Sequence, residues 1–369
     1  VESFVQLRKG RTPRQVHRDL DGLKDDEMGR SGFTGRTAHL YRRNDPTAYR
    51  AEGPLSPLDV QTCDLEPGDL HDPEGGPMPL FGNEDCRVSL SRRRAAAPFY
   101  ERNVDGDELW FVHRGHGHFE TEFGRLPYRP GDYVYLPKST TYRQVPEDDG
   151  HLLLIEATEE FRVPPAGVLG RHFPYDSSLV TVPEAEAFEE PVLDEYEVRL
   201  RHAGGRTSLF YPHHPLDAEG WKGDNFPFTF NIEDYDVITS ESVHLPPTVH
   251  LFMQATGVYV MHFLPRPAEA ARGAERMPWY HRNVDYDEVA FYHGGSVFGV
   301  DMPSGLISHA PQGVHHGVPE RARERSRRRH DVDTRVEWKV ISIDTRRRMV
   351  ASEALLAAAR AEVSAEAQA

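Results

Sequence analysis

Arg102-Asn103-Val104-Asp105-Gly106-Asp107-Glu108 and Arg282-Asn283-Val284-Asp285-Tyr286-Asp287-Glu288 are nearly one phrase written twice in a chain of 369 residues. A phrase that returns at such a distance marks a duplicated module. Glu108-Leu109-Trp110-Phe111-Val112-His113, running into Arg114-Gly115-His116-Gly117, reads as a strand and a turn. Glu288-Val289-Ala290-Phe291-Tyr292-His293, running into Gly294-Gly295, reads the same way. A further strand follows in each copy, over Tyr133-Val134-Tyr135-Leu136 and over Leu306-Ile307-Ser308-His309-Ala310. The residue ahead of the phrase is Glu101 in the first copy and His281 in the second. Only the second copy therefore sets an imidazole and a carboxylate seven positions apart, and it is the copy expected to bind metal.

The 30 glycines and 29 prolines fall between short runs of Val, Tyr, Phe, Leu and Trp, which is the punctuation of an all-β sandwich or barrel. His250 to Leu264, with Thr256-Gly257 at its centre, predicts another hairpin. Helix is expected as a minor component, chiefly one at the Ala- and Glu-rich end from Ser352, fraying into disorder. Linker composition around Val163-Pro164-Pro165 and Val182 to Pro191 predicts a division in chain order. On that reading residues 1–165 form an amino-terminal domain, 166–200 a linker, 201–345 a catalytic domain and 346–369 a tail.

A formal net charge of −16 argues against a nucleic-acid surface. The basic run from Arg321 to Arg329 is expected to be a solvated helix or a subunit contact. Cys63 and Cys86 are too few for a disulfide framework and fit a reducing cytoplasm. Neither a signal-like amino terminus nor a bilayer-length apolar run is present, so a soluble intracellular protein with no membrane partner is expected.

The second copy resembles the cupin superfamily of small jelly-roll barrels. His281-x-Asn283-x4-Glu288 keeps the first histidine and the glutamate of the cupin's first motif, and Pro311-Gln312-Gly313-Val314-His315-His316 reproduces its second. The resemblance implies two cupin barrels related by duplication, with His281, Glu288 and His316 as metal ligands. The doublet leaves His315 open as the third ligand. Two imidazoles and a carboxylate suit the facial arrangement of non-haem Fe(II), while Mn(II) and Zn(II) accept similar residues. In the first copy Glu101, Asn103, Glu108 and Tyr142 stand at these places, so that barrel is expected to serve packing. His113, His116 and His118 are expected at the surface around a turn, and His213-His214 in a loop.

A narrower resemblance is to the homogentisate 1,2-dioxygenase family. Tyr280-His281-Arg282-Asn283 carries it, with Pro215-Leu216-Asp217-Ala218-Glu219-Gly220-Trp221-Lys222-Gly223-Asp224 and the spacing of His309 to His316-Gly317, most strongly over residues 210–320. It implies a cytoplasmic Fe(II) enzyme of tyrosine and phenylalanine catabolism that opens homogentisate with O2 to maleylacetoacetate, assembled as trimers or hexamers. His244 is the implied acid/base, since an imidazole accepts a phenolic proton near neutrality. His309 and His316 are the implied substrate contacts. The chain departs from the family in its shorter length, in one extra residue between His281 and Glu288, and in Val297, where the family has a tyrosine at the substrate's carboxylate. Gentisate or another hydroquinone, or a bicupin that binds a small ligand without turning it over, are the alternatives.

Overall fold

Alternation of side chains along each strand builds two barrels that share a core. In this computed structural model, residues 7–30, 35–165, 177–203, 205–234, 250–276 and 278–366 are described. Strand Asp107–Arg114 sends Leu109 and Phe111 to one face and Trp110 and Val112 to the other, as the two-residue period of a strand requires. Strand Asp287–Gly294 does the same with Val289 and Phe291 against Glu288, Ala290 and Tyr292. Leu109, Phe111, Val289 and Phe291 all belong to one cluster between the two large sheets, where Phe111 and Phe291 lie 6.3 Å apart. Both phenylalanines are fully buried, each stabilising by roughly 1.5–3 kcal/mol.

The architecture is all-β, with short helices at Glu320–Arg328 and Glu353–Glu366. In the first barrel a seven-stranded sheet, with Asp132–Leu136, Asp107–Arg114, His151–Ala157 and Cys86–Ser91 at its centre, faces a sheet containing Tyr100–Asn103 and Thr141–Pro146. In the second, Leu306–Ala310, Asp287–Gly294, Lys339–Thr345 and Val258–Phe263 repeat that order, and Tyr280–Asn283 takes the place of Tyr100–Asn103. The hairpin expected from 250 to 264 is formed by His250–Ala255 and Val258–Phe263.

The division in chain order does not describe the pairing. Strands Lys24–Gly29, Thr37–Arg42 and Leu58–Gln61 precede the first barrel but join the second, on Tyr280–Asn283 and Leu306–Ala310. Strands Tyr196–His202, Gly205–Tyr211 and Phe228–Asn231 precede the second barrel but join the first. Each repeat is therefore an arm followed by a barrel, and the arms are exchanged. The closing segment Val350–Ala351 also crosses back, onto Met78–Gly82. Alternation says which face of a strand is buried; which neighbour it pairs with is a long-range choice outside its own pattern.

Candidate metal centre

Strand alternation points Glu288 into the second barrel beside Ala290, and Tyr280–Asn283 carries His281 to the same interior. His316 arrives from the turn after Pro311 and pairs with His281 through both backbone bonds, His281 N to His316 O at 3.0 Å and His316 N to His281 O at 2.9 Å. His281, Glu288 and His316 each place one donor atom within 4.8 Å of the others. Glu288 Oε2 lies 3.7 Å from His281 Nε2 and 3.2 Å from His316 Nε2.

Both imidazoles are oriented from behind. His281 Nδ1 lies 3.0 Å from the Trp279 carbonyl and His316 Nδ1 lies 3.1 Å from that of Val314. Those carbonyls require protonated Nδ1 atoms, which makes Nε2 the atom turned to the centre, where it donates to Glu288 while protonated and offers a lone pair to a metal once deprotonated. Asn283 Nδ2 donates to Glu288 Oε2 at 3.1 Å. Burial would raise the Glu288 carboxyl, but hydrogen bonds from His281 and His316 hold it well below the usual range. Burial would lower His281, yet Glu288 raises it. Across the strand pair from Glu288, burial and the Glu288 charge hold Asp344 well above the ordinary carboxyl range. The chemistry of this donor set, two imidazoles and an ionised carboxylate on one wall of a cavity, fits a divalent transition metal.

That cavity holds about 460 Å³, with Trp279, Phe298, Tyr292, Met302 and Trp338 among its walls. It exists because small side chains stand where the first barrel has large ones. Trp110 stands opposite Val134 and Leu154, and the corresponding positions in the second barrel are Ala290, Ser308 and Ser342. Three large side chains are replaced by three small ones. The corresponding place in the first barrel keeps a pocket of only about 10 Å³, beside Trp110 and Tyr142.

The arms make the second difference. Arg201 pairs with Asn103, and Gly29 pairs with Asn283. In the first barrel the Arg201 guanidinium donates to Glu108 and Glu156. Trp110 Nε1 also donates to Glu108 Oε2 at 3.0 Å, and Asn103 Nδ2 to Glu156 Oε1 at 3.0 Å. A fixed cation thus neutralises the glutamate whose counterpart, Glu288, faces a cavity lined by Gly29.

The histidine doublet splits. His316 joins the cluster, whereas His315 turns to the arm, its Nε2 lying 3.0 Å from an Arg282 nitrogen and 3.1 Å from Asp26 Oδ2. His309 borders the cavity, but it stands opposite Val289 on the strand face turned to the shared core, where its ring lies 5.2 Å from Phe81 and its Nε2 is engaged by Asp287 Oδ2 at 2.8 Å. Val297 is in the cavity wall. His244 lies outside the described residues. The basic run is not simply a solvated face. Arg323 is buried over the Tyr280 ring at 4.0 Å and bonded to Glu275, while Arg325 lines the cavity and donates to the Gly299 carbonyl.

The expectation for His113 is likewise corrected. It is half-buried, 2.9 Å from His293, its counterpart in the second copy, and packs on Phe291 and His151. His116 is exposed; His118 is largely buried beside Arg125 and the Glu120 and Glu147 carboxylates. His214 is buried, its Nε2 2.8 Å from the Tyr100 hydroxyl. Both cysteines are free.

Residues 92–232 match the homogentisate 1,2-dioxygenase N-terminal family. This span begins just after Cys86–Ser91 and covers the first barrel's strands from Tyr100–Asn103 to His151–Ala157 with its returned arm, so it falls on the barrel without histidine ligands. The chain is also 26% identical over 309 residues to a Saccharolobus solfataricus protein provisionally named as a dioxygenase, covering 78% of this chain and 79% of that one. Among solved structures, a cupin 2 conserved barrel domain protein from Leptotrichia buccalis aligns with TM-score 0.36 and 10% identity over 78% of this chain and 95% of that one. Protein Ylba from E. coli aligns with TM-score 0.38 and 10% identity over 82% and 96%. Among the described residues no helix is long and apolar enough to cross a membrane.

Proposed function

We propose that the chain is an Fe(II)-dependent dioxygenase that opens the ring of a hydroquinone acid, homogentisate in the first instance, to maleylacetoacetate. The observation that carries this is the paired contrast between barrels: the same strands surround a packed, arginine-neutralised interior in one and a histidine- and glutamate-lined cavity in the other. Likeness to the homogentisate 1,2-dioxygenase N-terminal family and to a relative named as a dioxygenase supports the reaction class.

His281, Glu288 and His316 would hold the ferrous ion, which when bound supplies open coordination positions for a phenolate oxygen and dioxygen together. The chain's own residues do the rest. Trp279, Phe298 and Trp338 offer an apolar enclosure for an aromatic ring and keep water away from it. Arg325 supplies a cation for the substrate carboxylate, in a wall where Val297 offers no hydrogen bond. With its ring on the shared-core face and Nε2 held by Asp287, His309 would brace the strand that presents Ser308 and Ala310 to the cavity. His244 is the proposed proton acceptor for the phenol. A cavity of about 460 Å³ lies within the roughly 300–1,000 Å³ of small-molecule sites and admits gentisate as well. Assembly as trimers or hexamers belongs to the same proposal.

The test is oxygen uptake by the ferrous protein against a panel of hydroquinone acids, followed by the ultraviolet absorbance of a ring-opened product. Substrate-dependent uptake that Glu288→Gln abolishes is expected. Iron-loaded protein that consumes no oxygen with any member of the panel would leave only a ligand-binding role.

A further inference from the structure

A second set of metal-binding side chains lies outside this cluster, on the exchanged arm. Lys24–Gly29 runs parallel to Tyr280–Asn283 and antiparallel to Thr37–Arg42, so that Glu27 sits in register between His281 and His39. Neighbours in register share a face of the sheet. His17 reaches the same place from the preceding loop, where its backbone adopts φ 58°, an uncommon left-handed conformation. Its ring stacks on Trp279 at 3.4 Å between centroids and meets His39 edge-on at 4.8 Å.

The donor atoms converge as they do in the first cluster. One nitrogen each from His17 and His39 and one Glu27 oxygen lie within 4.8 Å of one another, and His17 Nε2 is 3.7 Å from Glu27 Oε2. The same 3.7 Å separates His281 Nε2 from Glu288 Oε2. Two donors each about 2.0–2.1 Å from a tetrahedral ion stand roughly 3.4 Å apart, so a small contraction would seat one.

Asp25 supplies what this geometry needs from behind. Its side chain is fully buried, with Oδ2 2.5 Å from His17 Nδ1 and Oδ1 3.4 Å from His39 Nδ1. One carboxylate therefore faces the Nδ1 atoms of both rings and leaves their Nε2 atoms for a ligand, the carboxylate–histidine–metal arrangement. Glu27 is positioned as well, accepting from Trp279 Nε1 at 2.7 Å.

We propose that His17, Glu27 and His39 form a second metal site, for a zinc-class divalent ion in tetrahedral coordination completed by water. Two imidazoles and one carboxylate leave the fourth position open, and a full-shell zinc has no need of the redox chemistry proposed for the neighbouring cluster. The ion pins the loop at His17 to the arm and, through Glu27 and Trp279, braces the strand that presents His281.

The 369-residue chain, stripped of metal and then loaded with excess Zn(II) and desalted, should carry two ions by elemental analysis. His316→Ala should keep one, and His39→Gln should keep one. His316→Ala combined with His39→Gln should keep none. Cobalt(II) added to the His316→Ala protein should give the intense visible bands of a tetrahedral site, and His17→Gln in that background should remove them while circular dichroism stays unchanged. A single ion in the parent chain, or none in His316→Ala, overturns the proposal. These readouts count ions and do not depend on turnover, so they stand apart from any failure of the oxygen-uptake assay.

Discussion

Gly29→Arg should give the second barrel the fixed cation of the first. Gly29 and Arg201 occupy the same register, opposite Asn283 and Asn103. An arginine at 29 would reach Glu288 and Asp344 as Arg201 reaches Glu108 and Glu156. An entering metal must then displace a guanidinium from the carboxylate it needs. Breaking a buried ion pair by removing one partner costs about 3–5 kcal/mol, which is roughly two to three and a half powers of ten in affinity. Because the Arg201 side chain retains 27% exposure, the lower end of that range, about 100-fold, is the appropriate expectation. The assay is competition of the protein with a calibrated chelator for Fe(II) or Zn(II), in the His39→Gln background so that only the first cluster is titrated. Thermal melting should show an intact fold. Unchanged affinity in a folded Gly29→Arg protein would refute the argument that an arm arginine at this register helps to close a barrel to metal.

His316→Ala should lose the ion at the first cluster, whereas His315→Ala should keep it and lose about 1–3 kcal/mol of stability from its broken contacts with Asp26 and Arg282, measured by chelator competition and by denaturant melts. Acid should destabilise the junction of the barrels. Burial, reinforced by neighbouring positive charge, lowers His113 to about 3, His151 to about 2 and His293 to about 4. Their neutral forms favour the fold fully above about pH 6.5. That contribution is lost as pH falls towards 4, at about 1.4 kcal/mol per pH unit for each histidine, so urea midpoints should decline over that interval. A flat profile between pH 6.5 and 4.5 would contradict it. Because the arms are exchanged, residues 177–369 alone should fail to fold cooperatively and should gain structure when residues 1–165 are added, as followed by circular dichroism.

Much of the centre was legible in the chain because it is local. His281 and Glu288 follow from a repeated phrase and a strand's two-residue period, and the third side chain of the cluster was narrowed to two adjacent positions. The doublet itself was not decidable from sequence, since adjacent residues differ only in which way the turn after Pro311 rotates them. His315 faces the arm and His316 the cavity because His316 is held by backbone bonds to His281.

All-β architecture, duplication and the contrast between Glu101 and His281 were determined by sequence alone, since they rest on spacing and on residue chemistry. Arm exchange, the Gly29–Arg201 equivalence, the cavity behind Ala290, Ser308 and Ser342, the entry of Arg325 and the convergence of His17 with His39 were decided only by tertiary structure. Each depends on which strands become neighbours across long stretches of chain. That choice is made by the packing of whole sheets on a shared core, and no window of sequence contains it.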